Sequence, residues 1–228
     1  LGAGTLGATE DWSSSLPMTL TDAATGTSLD GTGGTITLSS ILSGMGRLNM
    51  TGGGTAILSN DNLYSGTTVV SAGTLLVNGS HTTGSGVTAN GGNLWGTGLI
   101  TNELITVNSG GTIGPAVSTT LGTFAAENVT FADGGRAACI VNGTTPTLNV
   151  SGSLTTAGDN WVDILLTAPL TEGTYTLIDY DGSIAGDGFS AFQLAGEFGR
   201  SIVSLSNNTT ETTIHLVVGA ASPTNLGW

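Results

Sequence analysis

Residues 52–79 read GGGTAILSNDNLYSGTTVVSAGTLLVNG, and this segment decides the fold. It contains two runs typical of β-strands, residues 55–59 and 68–77, with a kink expected at Gly73 in the second. Because successive side chains of a strand point to opposite faces, the alternation of apolar and polar residues predicts half-buried strands. Between the runs, Asn60-Asp61-Asn62 is typical of a turn whose side chains cap backbone groups. The expected core residues are Ala56, Leu58, Val70, Leu75 and Val77.

The same short pattern recurs along the chain. A glycine is followed by a polar residue and then by an apolar one, and these glycines return at similar intervals that are identical from Gly54 to Gly111. Self-similarity at a period of roughly 20 residues predicts a solenoid, because one such unit cannot bury its apolar face without neighbours stacked on it. The glycines are Gly34, Gly54, Gly73, Gly92, Gly111, Gly135, Gly152 and Gly173.

A second recurring pattern supports stacked strands. Residues 87–90, 105–108 and 129–132 read VTAN, ITVN and VTFA, so they repeat one strand pattern in which apolar and polar positions largely alternate. The density of Pro and Gly excludes a helix of three turns anywhere in the chain. The sequence therefore predicts an all-β protein.

Residues 52–79 resemble the autotransporter-associated β-strand repeat, also called the passenger-associated transport repeat. Ala56 and Asn60 depart from the repeat pattern. The resemblance implies a right-handed parallel β-solenoid on a bacterial surface or secreted protein, with a structural or adhesive role and no catalytic residues. The residues that match the pattern are Gly54, Thr55, Leu58, Ser59, Asn62, Tyr64, Gly66, Thr68, Val70, Gly73, Thr74, Leu75 and Val77.

Three regions are expected within the chain. Residues 1–33 are interpreted as an N-terminal cap or first coil, residues 34–157 as the solenoid body, and residues 158–228 as a C-terminal end. In the last region, residues 202–205 and 213–217 flank a polar segment and predict a β-hairpin. Residues 222–228 resemble a link to further sequence, so the chain is expected to be a piece of a longer protein.

The charge of the chain excludes several kinds of partner. It has no lysine, three arginines and 16 acidic residues, for a net charge of −13. Phosphate backbones and anionic lipid surfaces would repel such a chain, so nucleic-acid binding is excluded as a function. No apolar run approaches the roughly 18 residues of a membrane span, so membrane insertion of this segment is not expected either.

The reactive side chains show no spacing typical of a catalytic or metal site. Cys139 is expected to be a small buried residue. His81 and His215 have no partner spaced for metal binding, so both are expected to be surface or strand residues, and we predict no metal and no cofactor. A polysaccharide hydrolase on a β-helix would need two neighbouring carboxylates, and Asp179 and Asp181 are the closest such pair.

Two kinds of surface site remain as hypotheses. Trp95 follows Leu94 and should point outward if Leu94 points inward, which makes it the candidate ligand-binding aromatic. Seven asparagines stand in Asn-x-Ser/Thr sequences and are candidate glycan-attachment sites. They are Asn49, Asn78, Asn128, Asn142, Asn149, Asn207 and Asn208.

The sequence thus favours a non-enzymatic structural module of an extracellular or cell-surface protein. Stacked strands would form a stiff rod, and low charge with open strand edges at the rod's ends favours end-to-end self-association into a fibre or stalk. The alternative is an adhesin segment that binds polysaccharide or host-surface glycans, and a β-helix polysaccharide hydrolase is third.

Overall fold

The structure is a computed structural model that describes residues 1–116, 122–141, 143–196, 198 and 201–220. Nearly all regular structure in this part of the chain is β-strand, and the one helical element there is a 3-10 turn at Phe189–Ala191. None of the described helical residues forms a helix long and apolar enough to cross a membrane. The prediction of an all-β chain is confirmed.

The strands are short and follow one another closely. The first thirteen are β1 (Gly4–Gly7), β2 (Trp12–Ser14), β3 (Met18–Leu20), β4 (Thr27–Asp30), β5 (Thr35–Leu38), β6 (Leu42–Gly44), β7 (Leu48–Met50), β8 (Thr55–Leu58), β9 (Thr68–Val70), β10 (Thr74–Val77), β11 (Ser80–His81), β12 (Val87–Ala89) and β13 (Asn93–Gly96). The remaining strands are β14 (Leu99–Val107), β15 (Thr112–Pro115), β16 (Phe124–Phe131), β17 (Arg136–Ile140), β18 (Leu148–Val150), β19 (Leu154–Thr156), β20 (Asn160–Leu165), β21 (Gly173–Tyr180), β22 (Ile184–Gly186), β23 (Phe192–Ala195), β24 (Ile202–Asn208) and β25 (Thr213–Gly219).

Parallel pairing between successive coils organises these strands into a solenoid with three faces. The first face contains β1, β4, β7, β9 and β12 and then the later halves of β14 and β16. The second face is a nine-stranded sheet, β2-β5-β8-β10-β13-β15-β17-β20-β23. The third face begins with β3 and β6 and continues through β11 into the first halves of β14 and β16. The predicted parallel β-solenoid is confirmed, and its right-handedness stays a prediction.

The core consists of columns of apolar side chains that run along the solenoid axis. Because equivalent strand positions lie in register, each inward residue packs on the same position of the next coil. The three segments with the recurring strand pattern stack, since Val87 pairs with Ile105 and Ile105 with Val129, and all five predicted core residues of segment 52–79 are buried. On the second face the buried column is Ile36, Ala56, Leu75, Leu94, Ile113, Ala137 and Val162, and on the first it is Leu29, Met50, Val70, Ala89, Val107 and Phe131.

The recurring glycines mark one corner of the solenoid, where the backbones of successive coils nearly touch. A Cβ atom on Gly54 would lie 1.6 Å from the carbonyl oxygen of Gly31, and one on Gly111 would lie 2.2 Å from that of Ala89. Six of the eight glycines precede strands of the second face, as one repeating corner requires. Gly152 and Gly173 do not, because Gly152 precedes β19 and Gly173 begins β21, and both strands lie on other faces.

The predicted strand over residues 68–77 is two strands rather than one. β9 lies on the first face and β10 on the second, and Gly73 between them has a φ of 62°. Since this left-handed conformation is accessible to glycine at little cost, the chain turns a full corner where only a kink was expected.

The two ends of the array differ. Residues 1–33 contain a first coil whose β1, β2 and β3 pair with β4, β5 and β6. At the other end β24 and β25 form the predicted antiparallel hairpin, which pairs through β25 with β21. The boundaries at residues 33 and 157 stay predictions, and the expected link at 222–228 lies outside the described residues.

Candidate binding surface

Trp95 lies on the outward side of the second face. Its neighbour Leu94 is fully buried, and the strand alternation places Trp95 between Leu76 and Gly114 of the adjacent coils. Ile57 precedes Leu76 in the same outward column. The three large side chains are half-buried and form an apolar stripe one residue wide across three coils.

Only part of the Trp95 ring is available to a ligand. The indole Nε1 atom is buried and has no hydrogen-bond partner among the described residues. A ligand would therefore contact the ring rather than its N–H group. The role of Trp95 in binding stays a prediction.

The candidate glycan-attachment asparagines differ in how far their side chains are engaged. Asn78 is exposed, and its Oδ1 accepts a hydrogen bond from the amide of Thr97 at 3.3 Å. Asn49 is half-buried, and its Nδ2, the atom that would carry a glycan, donates to the carbonyl of Thr25 at 2.8 Å. Asn142 lies outside the described residues. The half-buried asparagines that complete the set are Asn128, Asn149, Asn207 and Asn208, and glycosylation of all seven stays a prediction.

The carboxylate pair considered for a hydrolase lies at the end of β21. Asp179 is on the strand, and Nδ2 of Asn149 approaches its Oδ2 at 3.4 Å from the neighbouring coil. Partial burial raises the pKa of Asp179, and the negative charge of Asp181 raises it further. Asp181 is exposed in the turn after the strand, where its amide donates to the carbonyl of Val150 at 3.1 Å.

A buried polar cluster lies inside the third face, where the sequence did not predict one. The ring of His81 is 2% exposed and stacks on Tyr64 with centroids 4.2 Å apart. Its Nε2 lies 3.0 Å from the carbonyl oxygen of Tyr64, and its Nδ1 lies 2.7 Å from Oε1 of the buried Glu103. This second contact is an ion pair only when the imidazole carries a proton on both nitrogens, and Oε1 has no hydrogen-bond partner among the described residues. Oε2 of Glu103 accepts a hydrogen bond from the amide of Gly86 at 3.0 Å.

His81 was expected to be a surface or strand residue, and the strand alternative is the one observed. His81 is on a strand, but it is buried and has the carboxylate partner that the sequence analysis did not find. The sequence did contain one indication that His81 and Glu103 meet, because their separation along the chain is close to the length of one coil. A bulge in β14 beside Asn102, whose φ is 61°, shifts Glu103 away from the regular position.

The remaining reactive side chains lie apart from one another. Cys139 is fully buried, as predicted, and burial raises its pKa to about 12. His215 is on β25, and its Nε2 lies 2.8 Å from the hydroxyl of Thr213. Among the described residues no three His, Cys, Asp or Glu side chains are grouped closely enough to hold a metal ion.

Comparison with known families decides the assignment of the central segment. A family model described as passenger-associated-transport-repeat matches residues 48–77. The chain contains a passenger-associated transport repeat. The resemblance noted from residues 52–79 is thereby confirmed.

The structure gives a physical role to the polar residues of this passenger-associated transport repeat. Oδ1 of Asn62 accepts a hydrogen bond from the amide of Leu42 at 3.0 Å, and its Nδ2 donates to the carbonyl of Asn60 at 2.7 Å. The hydroxyl of Tyr64 lies 2.6 Å from that of Thr68 inside the core. The repeat therefore supplies its own partners for polar groups that a tight corner buries.

The chain is also similar to an autotransporter adhesin. Over 170 residues it is 31% identical to the protein "Adhesin BmaC autotransporter" of Brucella suis biovar 1 (strain 1330). This alignment covers 65% of the chain but 5% of the adhesin. The chain thus corresponds to a small part of a much longer relative.

Proposed function

We propose that the chain is an extracellular, adhesin-type passenger segment whose β-solenoid acts as a stiff structural rod. The passenger-associated transport repeat and the similarity to an autotransporter adhesin support a cell-surface location. The unbroken parallel register of the nine strands on the second face carries the structural part of the proposal. At about 4.8 Å per strand, these nine strands span roughly 38 Å. We propose no catalytic activity for this segment.

We further propose that the rod associates end to end. At the first coil, β2 pairs with β5 on one side and with no other strand among the described residues. Trp12 is in register with the buried Ile36, yet its side chain is 40% exposed because no described coil covers it. An open strand edge beside an exposed apolar surface favours pairing with a further coil.

The test uses electron microscopy of the 228-residue chain over a concentration series, with a variant that blocks the open edge. The carbonyl of Ser14 accepts from the amide of Ser39 at 2.8 Å, so the backbone of Ser14 points toward β5. Because backbone groups alternate in direction along a strand, the N–H of Ser13 points toward the open edge. Ser13→Pro removes this donor at a position where an edge strand tolerates proline, and Ser13→Ala is the matched control.

We expect unbranched fibres from the wild-type chain and from Ser13→Ala, and dispersed particles from Ser13→Pro. Circular dichroism should show the same β-content for all three. Single particles of the wild-type chain at every concentration would remove the fibre from the proposal but leave the rod. Fibres from Ser13→Pro would show that assembly uses another surface.

A second candidate function is glycan binding by the apolar stripe of Ile57, Leu76 and Trp95. The observation that favours it is the outward position of these side chains in three successive coils. Glycan-array binding should be lost in Trp95→Ala and kept in Trp161→Ala, since Trp161 lies in the other outward column of the same sheet beside Arg136. Equal binding by both variants would argue against the stripe.

A further inference from the structure

A surface groove of about 510 Å³ crosses successive coils at the corner before the first face. We call it the Arg47 groove. It lies away from Trp95, which is on the second face. Its main lining residues are Met45, Arg47, Ser65, Gly66, Thr67 and Ser85.

Glycines create the Arg47 groove. A Cβ atom on Gly66 would lie 2.1 Å from the carbonyl oxygen of Gly46, and one on Gly46 would lie 2.6 Å from the carbonyl carbon of Leu20. Backbones of successive coils therefore touch here without side chains between them. The side chains of Met45, Arg47, Ser65 and Ser85 surround these glycines and form the walls of the groove.

Arg47 brings a positive charge that no described carboxylate neutralises. No described carboxylate oxygen lies within 4.0 Å of its guanidinium, whereas Arg136 pairs with Asp163. One Nη1 hydrogen bond, to the carbonyl of Ala24 at 3.1 Å, holds the Arg47 side chain in place. The Ala24 turn is itself fixed by Asp22, whose carboxylate accepts the Ala24 amide at 2.8 Å.

Hydroxyl groups with unused hydrogen-bonding capacity accompany this charge. Oγ of Ser65 makes one long contact of 3.5 Å to the carbonyl of Gly44, whereas the Oγ1 atom of Thr67, which has no partner among the described residues, is buried and out of a ligand's reach. Ser85 donates to the carbonyl of Ser65 at 2.6 Å and keeps its acceptor capacity. Met45, 75% exposed, adds an apolar surface.

We propose that the Arg47 groove binds a carboxylate-bearing sugar. Because Nε of Arg47 is buried, the carboxylate would pair with the terminal Nη atoms of the guanidinium. The serine hydroxyls can exchange hydrogen bonds with sugar hydroxyls, and Met45 can contact a C–H face of the ring. This site is independent of both the rod and the Trp95 stripe. The net charge of −13 repels anions at long range, so a single sugar should bind weakly, with a Kd of about 1 mM.

The experiment titrates the 228-residue chain with D-glucuronate by ligand-observed NMR, with D-glucose as the neutral match and inorganic sulfate as the simple anion. Arg47→Gln removes the proposed anchor. Arg136→Gln is the control, because it makes the same charge change on another face. We expect glucuronate to bind the wild-type chain and Arg136→Gln equally, and Arg47→Gln at least about tenfold more weakly.

Two further variants separate recognition from folding. Arg47→Lys keeps the charge but loses the planar fork, so glucuronate should bind it less well than the wild type. Ser65→Ala removes only the long contact of the Ser65 hydroxyl to the carbonyl of Gly44. It should therefore reduce glucuronate binding several-fold and leave the thermal stability unchanged. Absence of glucuronate binding, or binding that Arg47→Gln and Arg47→Lys leave unchanged, would overturn the proposal. Equal binding of glucose or of sulfate would overturn its sugar-acid specificity.

Discussion

Gly54 shows how strictly single residues are constrained at the tight corner. Its missing Cβ would lie 1.6 Å from the backbone of the preceding coil, while a Cβ on the adjacent Gly53 would meet nothing within 4 Å. We expect Gly54→Ala to lower the free energy of unfolding by about 3 kcal/mol, because the coils must separate to admit a methyl group. Gly53→Ala should change it by less than about 0.5 kcal/mol, since surface substitutions have small effects. Urea unfolding measures both, and equal losses would contradict this account.

The buried side chains of His81 and Glu103 also limit which residues these two positions tolerate. Removing one member of this buried polar pair leaves the other without its partner, so His81→Phe and Glu103→Leu should each destabilise the fold by about 2–3 kcal/mol. The double variant should lose less than the sum of the two. Thermal denaturation of the three variants forms the cycle, and simple additivity would show that the two side chains act separately.

At the scale of the element, corners depend on side chains that replace missing strand partners. Asn62 is buried and satisfies the amide of Leu42 and the carbonyl of Asn60, so Asn62→Ala should cost about 2–3 kcal/mol. Asn60 is exposed, and Asn60→Ala should cost no more than about 1 kcal/mol. Guanidinium unfolding compares the pair. A larger loss for Asn60→Ala than for Asn62→Ala would show that Asn60, not Asn62, is the main cap of this corner.

The strands could be predicted from the sequence far better than the corners. Alternation identified Leu75 and Val77 as core residues because a period of two is a local property. The face that each strand joins depends on contacts that are distant in the sequence. The glycine, polar and apolar residues that start at Gly152 therefore looked like those that start at Gly73, although the strand that follows Gly152 lies on a different face. The Arg47 groove was missed for the same reason, since successive coils that are distant in the sequence form it together. Glu103 was missed because a bulge displaces it.

At the scale of the whole molecule, stability should vary along the solenoid axis. Interior coils pair on two sides, whereas β1, β2 and β3 pair with one described neighbour each. In a repeat array each coil is stabilised by its neighbours, so amide hydrogen exchange should be slowest in β8, β10 and β13 and fastest in the first coil. Mass spectrometry of exchanged peptides measures this gradient. Uniform exchange from end to end would indicate one cooperative unit.

The in-register columns also have a consequence for how such a gene can change. Along most of the rod, a coil with a glycine at the tight corner, apolar residues at the inward positions and polar caps at its other corners meets similar demands from the coils above and below. An in-frame duplication or deletion of about twenty codons would therefore add or remove one coil and leave the remaining coils paired as before. Recombination could lengthen or shorten the rod while selection acts separately on outward side chains.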